Sequence, residues 1–215
     1  MAEVVLVRHG QANAGARTEE EYDRLSELGR QQGRWLGEWL RDVRTEFDHV
    51  VAGSLSRHIR TAEAMGVTPE TDARWNELAY LPLAEAHAAV NGVTPPVAGV
   101  EFPDYFAGLM RAWEAGALPG TPEPFAAFKS RVLAALDDVR HRGDRVLVVT
   151  SGGVIGQAVG YAMGLDIEGV ARLALGIGNT SIQRLIWTGR DWGLSEFGAT
   201  PHLAHVDRAH ARTFY

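Results

Sequence analysis

The chain has no cysteine, which excludes disulfide staples, thiolate catalysis and cysteine-ligated metals. It has no excess of positive charge. The formal net charge is −6 and the isoelectric point about 5.7, so the electrostatic footprint of a nucleic-acid binder is missing. Neither nucleotide-binding glycine pattern, G-x-x-x-x-G-K-[ST] or G-x-G-x-x-G, occurs. No basic segment followed by a long apolar stretch opens the chain, so a signal peptide is not expected and a cytoplasmic location is. Proline is scarce outside one stretch: seven of the nine fall between 82 and 124.

One segment imitates a membrane span. Val146 to Leu165 carries no charge, and Gly152, Gly156, Gly160 and Gly164 recur every four residues, the small-residue spacing of packed membrane helices. Thr150, Ser151 and Gln157 argue against insertion. A strand, a turn and a helix laid close on a sheet account for the segment better. The remaining composition, 46% hydrophobic and 22% charged over 215 residues, fits one globular α/β domain.

The periodicity predicts strands at Val4–Val7, Val50–Ala52 and Val146–Val149. It predicts helices from Ser26 as N-cap to about Leu40, with Leu28, Trp35, Leu36, Trp39 and Leu40 as its apolar face, from Arg57 to Met65, from Phe125 to about Arg140 and from Val154 to Met163. Residues 181–187 and 192–197 flank Thr188-Gly189-Arg190-Asp191 as a hairpin. Strands alternating with helices predict a mostly parallel central sheet covered on both faces. Residues 82–124, rich in proline and bearing Phe102, Tyr105, Phe106 and Trp113, read as a lid-like insertion with a short helix from Asp104. The whole of 1–215 is expected to be one domain carrying that insertion.

Arg8-His9-Gly10 follows directly on the first strand. Ligands of open α/β sheets bind at carboxyl strand ends, and glycine lets the backbone come close to them. Ser54-Leu55-Ser56-Arg57-His58-Ile59-Arg60-Thr61-Ala62 follows the second strand. Thr150-Ser151-Gly152-Gly153 follows the late one, where helix amides suit an anion. In register, these three pieces resemble the histidine phosphatase superfamily, the phosphoglycerate-mutase-like proteins. The resemblance runs from residue 4 to about 200. It implies a three-layer αβα sandwich, and a phosphohistidine formed on His9 and hydrolysed by water.

Arg8 and Arg57 suit that chemistry, because guanidinium forks bind phosphate oxygens bidentately and their charge keeps His9 neutral. Arg60 and His58 beside Arg57 read only as a short basic run. By the resemblance, Glu77 is the general acid for the leaving group, although the flanking glycine and tryptophan of the family are absent; Glu85 and Glu101 are its rivals. The resemblance also implies a phosphate cradle of Arg8, Arg57, Ser151, Gly152 and Asn13.

This chain departs from the family in three places. Ser151 replaces a second histidine, and losing such a donor typically costs about 2.7–4 kcal/mol; its hydroxyl and the Gly152 and Gly153 amides remain. Ala12 stands where the family often has Ser or Thr, and Gly15 where it often has Asn, with Asn13 as the nearby substitute. His202, His205, His210 and Asp207 are too loosely spaced for a metal site and read as a solvated tail, and no metal or cofactor is expected. The implied function is metal-independent hydrolysis of a small phosphomonoester. The alternatives are a catalytically weak phosphate- or partner-binding module and a phosphoglycerate-type mutase. Expected partners are a small phosphoester, with no nucleic acid and no membrane, and a homodimer is left open.

Overall fold

The structure, a computed structural model, describes residues 2–13, 16, 18–96 and 101–214. Its elements in chain order are β1 (Glu3–Arg8), α1 (Glu19–Tyr22), α2 (Glu27–Asp42), β2 (His49–Ala52), α3 (Ser56–Met65), β3 (Glu70–Thr71), α4 (Tyr80–Asn91), α5 (Phe102–Glu114) and α6 (Phe125–Val139). There follow β4 (Arg145–Thr150), α7 (Gly152–Met163), α8 (Ile167–Gly176), β5 (Ile182–Trp187) and β6 (Trp192–Ala199). Short 3₁₀ turns cover Ala73–Trp75, Pro201–Leu203 and Val206–Ala211.

The six strands form one sheet in the order β3-β2-β4-β1-β5-β6. β1, β2, β3 and β4 run parallel, and β5 is antiparallel to both β1 and β6. The register sets Arg8 opposite Thr150, so the residues after β1 and β4 leave the sheet side by side. Val4–Val7 and Val146–Val149 are fully buried, as continuous apolar runs in a two-sided parallel sheet should be. One face packs Leu36, Leu40, Ala62 and Met65 against Val5, Val7, Leu147 and Val149. The other face holds the larger cluster around Leu109, Trp113, Phe128, Leu136, Ile155 and Val159. The expected α/β sandwich is therefore present.

Several boundaries and faces differ from the sequence reading. α2 is capped by Ser26, whose hydroxyl accepts from the Gly29 amide, but its buried side is a glycine stripe of Gly29, Gly33 and Gly37 with Leu36 and Leu40. Leu28, Trp35 and Trp39 are only half-buried, because α2 lies so close to α3 that a Cβ at Gly37 would overlap the Met65 backbone. Gly10 is likewise spent on packing: a Cβ there would overlap the Gly29 carbonyl. The glycines of α7 do not face the sheet as expected. A Cβ at Gly156 would meet Ala174 and Val170, and one at Gly160 would overlap the Val170 side chain, so they admit α8. Among the described residues, no helix is long and apolar enough to cross a membrane.

The stretch 82–124 is largely helical rather than an extended connection. Pro82 and Pro103 sit in the first turns of α4 and α5, where a missing amide hydrogen costs nothing. Residues 97–100, within the expected insertion, lie outside the described residues.

Candidate active site

The site is built on the carboxyl ends of three neighbouring strands. The His9 amide donates to Thr150 O at 2.8 Å and the Gly53 amide to Val149 O at 3.1 Å, so the chain leaves β1, β2 and β4 with the ladder still pairing. His9 is 2% exposed. Its Nδ1 lies 2.7 Å from the Gly10 carbonyl oxygen. A carbonyl only accepts, so Nδ1 carries the hydrogen and Nε2 keeps the lone pair. Burial pushes the His9 imidazole well below the usual histidine range, and the charges of Arg57 and Arg8 push it further. His9 is thus a neutral imidazole with a free Nε2, the form a nucleophile requires.

The His9 backbone is clamped from behind. Asn179 Nδ2 donates to His9 O at 3.0 Å, and the Thr180 amide donates to Arg8 O at 3.0 Å. Thr180 holds a left-handed backbone, with φ of 55°. Its hydroxyl lies 2.9 Å from Nε2 of His202. His202 is therefore a buried support of this edge rather than part of a solvated tail, and burial pushes its imidazole down to about 4. The Gly10 amide donates to Thr61 Oγ1 at 3.0 Å, and that hydroxyl donates to Arg57 O at 2.7 Å. The threonine of the second motif thus ties α3 to the R-H-G turn.

Arg8 and Arg57 are 6% and 2% exposed. Arg57 Nη1 donates to Asp23 Oδ1 at 3.1 Å, and its guanidinium lies 5.1 Å over the Tyr22 ring. Asp23 also accepts from the Ser56 and Arg57 amides at 2.7 and 3.1 Å, capping α3. Arg8 Nη1 donates to Ile177 O at 2.5 Å and to Phe214 O, so part of its fork is spent on the protein rather than held for a ligand. The Nε of each arginine is buried with no hydrogen-bond partner among the described residues. Burial lowers Arg8, with Tyr22 and Glu77 opposing that shift. A Cβ at Gly152 would lie 3.8 Å from Arg8 Nε, which places the first turn of α7 against this guanidinium.

Helix α7 starts at Gly152, two residues earlier than expected, with Ser151 as N-cap. Ser151 makes no capping bond. Glu77 caps in its place: its Oε2 accepts from the Gly153 amide at 3.0 Å and its Oε1 from the Leu78 amide at 3.0 Å. The Gly153 amide expected in the cradle is therefore engaged by the carboxylate expected to be the acid. Glu77 is half-buried, whereas its rivals Glu85 and Glu101 are exposed. Asn13 is exposed on the loop after β1, its amide bonded to Arg24 O. Ala12 is buried and bridges Leu25; Gly15 lies outside the described residues.

Four residues of the site were not singled out from the sequence. Tyr22 and Asp23 stand outside every motif, and no spacing points to them. Asn179 lies just before β5, outside every motif. His58, fully buried, has its ring 5.7 Å from that of His9 and its Nε2 2.6 Å from Ser151 Oγ. A signal for His58 was present. Arg57, His58, Thr61, Ala62 and Met65 share one helical face, so the polar members sit on the stripe that the apolar members bury.

The sequence profile of the Histidine phosphatase superfamily (branch 1) matches residues 4–200. The Arabidopsis thaliana protein named phosphoglycerate mutase-like protein 4 is 28% identical over 212 residues, 94% of this chain and 87% of that one. Two solved structures share the fold. A phosphoserine phosphatase mutant from Entamoeba histolytica in complex with phosphoserine aligns with a TM-score of 0.69 at 18% identity, covering 94% of this chain and 100% of that one. Phosphoglycerate mutase from Bacillus anthracis aligns with a TM-score of 0.71 at 21% identity, covering 98% and 96%. With the fold, the two N-terminal motifs and the late strand–glycine turn in one register, the chain belongs to the histidine phosphatase superfamily, branch 1.

Proposed function

We propose that this protein is a metal-independent hydrolase of small phosphomonoesters that works through a phosphohistidine on His9. One observation carries the reading: two buried guanidinium groups, each with an unpartnered Nε, flank a neutral imidazole whose Nε2 is free. Two guanidinium charges taken out of water beside a neutral imidazole carry a desolvation cost, and an anion bound next to them would offset it. Phosphoserine, the compound bound to the E. histolytica neighbour, is a monoester of the class proposed.

In the first step His9 Nε2 bonds to phosphorus as the P–O bond to the leaving group breaks. Glu77, as the proposed general acid, passes a proton to the departing oxygen. Water then attacks the phosphorus, the N–P bond breaks, its proton returns to Glu77, and inorganic phosphate leaves. Arg8 and Arg57 supply the positive charge that a metal would otherwise supply, aimed at the transferring oxygens. The Gly152 amide and the Ser151 hydroxyl complete the cradle.

The test is turnover of p-nitrophenyl phosphate with EDTA present, together with trapping of an acid-labile, alkali-stable phosphoenzyme. Wild type is expected to do both, and His9→Ala neither, with the fold unchanged because its backbone contacts survive. His9→Ala turning over at the wild-type rate would sink the mechanism. Phosphate binding without any turnover would favour the binding module instead.

A further inference from the structure

Ser151 and His58 are both fully buried and lie 2.6 Å apart, on elements 93 residues apart in the chain. Neither has the partner its position would ordinarily give it. An N-cap serine usually accepts from an amide of the first helical turn, but Glu77 has taken the Gly153 amide and Ser151 makes no capping bond. His58, in the first turn of α3, is turned inward and fully buried, its ring 5.7 Å from the His9 ring. Room for it is made by Gly53, where a Cβ would overlap His58 Nδ1. That Nδ1 is buried without a hydrogen-bond partner.

The tautomer follows from the last point. With the hydrogen on Nε2, the orphan at Nδ1 is a lone pair; with the hydrogen on Nδ1, it is a buried N–H, the rarer and costlier vacancy. Nε2–H therefore donates to Ser151 Oγ. A serine oxygen that accepts this bond has one hydrogen left to give.

We propose that His58 and Ser151 act as one unit, in which the His58 Nε2–H fixes the Ser151 oxygen and the Ser151 hydroxyl hydrogen is directed to an oxygen of the phosphoryl group in transfer. His58 is thus a positioning residue that acts through Ser151. The chain keeps an imidazole beside His9, supplied by α3 instead of by the turn after β4. The inference rests on the phosphatase reading above. It also explains why the site tolerates serine at 151: a histidine at both positions would compete for one space.

The experiment compares wild type, His58→Ala, Ser151→Ala, the double alanine variant and the interchanged variant His58→Ala/Ser151→His. The readouts are kcat and KM for p-nitrophenyl phosphate, and the affinity for inorganic phosphate by calorimetry. Each single alanine variant is expected to lose about tenfold to a hundredfold in kcat, less than a full oxyanion donor, with KM within about threefold. The double variant should be no worse than either single one, because the two side chains form one unit. Ser151→His alone should gain nothing, and the interchanged variant should recover most of the lost kcat. His58→Gln, which keeps an N–H for Ser151, should stay within about tenfold of wild type and serves if His58→Ala does not fold. Losses that multiply in the double variant, an interchange no better than His58→Ala, or a glutamine variant as impaired as Ser151→Ala would overturn the proposal. Wild type that turns over, beside His58 variants that match it, would overturn this inference alone. Wild type that neither turns over nor binds phosphate would overturn the phosphatase reading with it.

Discussion

Arginine lies at both edges of the parallel sheet, Arg145 where β4 begins and Arg8 where β1 ends, and the two edges treat it differently. At the amino end, Glu3 pairs with Arg145 and with Arg184 at 3.1 Å, and Arg184 Nε reaches Glu196 at 2.7 Å. The Arg145 amide donates to Asp48. Burial alone would raise the Glu3 carboxyl, but the hydrogen bonds from Arg145 and Arg184 hold it below the ordinary glutamate range. That charge is answered within the protein. At the carboxyl end Arg8 and Arg57 are far more buried; Arg57 has one carboxylate partner, Asp23, at 3.1 Å, Arg8 donates to backbone carbonyls, and His9 and His58 beside them are held neutral. Charge that is fully answered holds a fold together, whereas charge left incomplete in a buried pocket is a site waiting for a ligand.

The sharpest way to break this contrast is Arg57→Lys. Lysine keeps the charge but loses both the planar fork and the Nε donor. We expect kcat/KM to fall about a hundredfold or more, in the range of a lost oxyanion donor. Kinetics equal to wild type would mean that the orphan Nε faces no substrate.

The next effect is on acid stability. His202 supports the carboxyl edge with a folded-state value of about 4 against an ordinary 6.5. Between those values the unfolded chain binds a proton that the folded one refuses, so the contribution is complete above about pH 6.5 and is lost as pH falls toward 4. It amounts to a few kcal/mol at most, and His9 and His58 act in the same direction. Urea midpoints measured from pH 8 to 4 should fall steeply for wild type and less steeply for His202→Asn. Parallel curves would remove His202 from the account.

The smallest effect belongs to the amino end. Glu3→Gln should cost about 1 kcal/mol or less, shrink further in salt and leave turnover untouched. A drop in kcat would show that the two ends are coupled through β1, and the contrast would fail.

The sequence made the site's backbone frame legible because its cues are local. Val4–Val7 and Val146–Val149 declared buried parallel strands by composition alone, and Arg8-His9-Gly10 and Arg57…Thr61-Ala62 sit where strand becomes turn. Ser26 announced its helix by capping chemistry. The middle was legible only in part, a helix near Asp104 but not α4, because prolines at 82 and 103 punctuate a chain whichever way it goes. Only the fold shows that both open helices. Leu28, Trp35 and Trp39 promised an apolar face that the glycine stripe of α2 took instead, since close helix packing favours small residues over large ones.

What the sequence by itself determined was the sheet, the place of His9 at a strand end and the two arginines, since each depends on a handful of adjacent residues and a strand end. What only the tertiary structure decided was which groups meet across long separations. Glu77 captures the Gly153 amide 76 residues away, Arg8 Nη1 is claimed by carbonyls 169 and 206 residues away, and His58 turns inward to Ser151. The physical reason is the range of the forces. Strand and cap signals are set by near neighbours along the chain, but the partner of a buried polar group is set by whichever donor or acceptor packing brings within 3 Å.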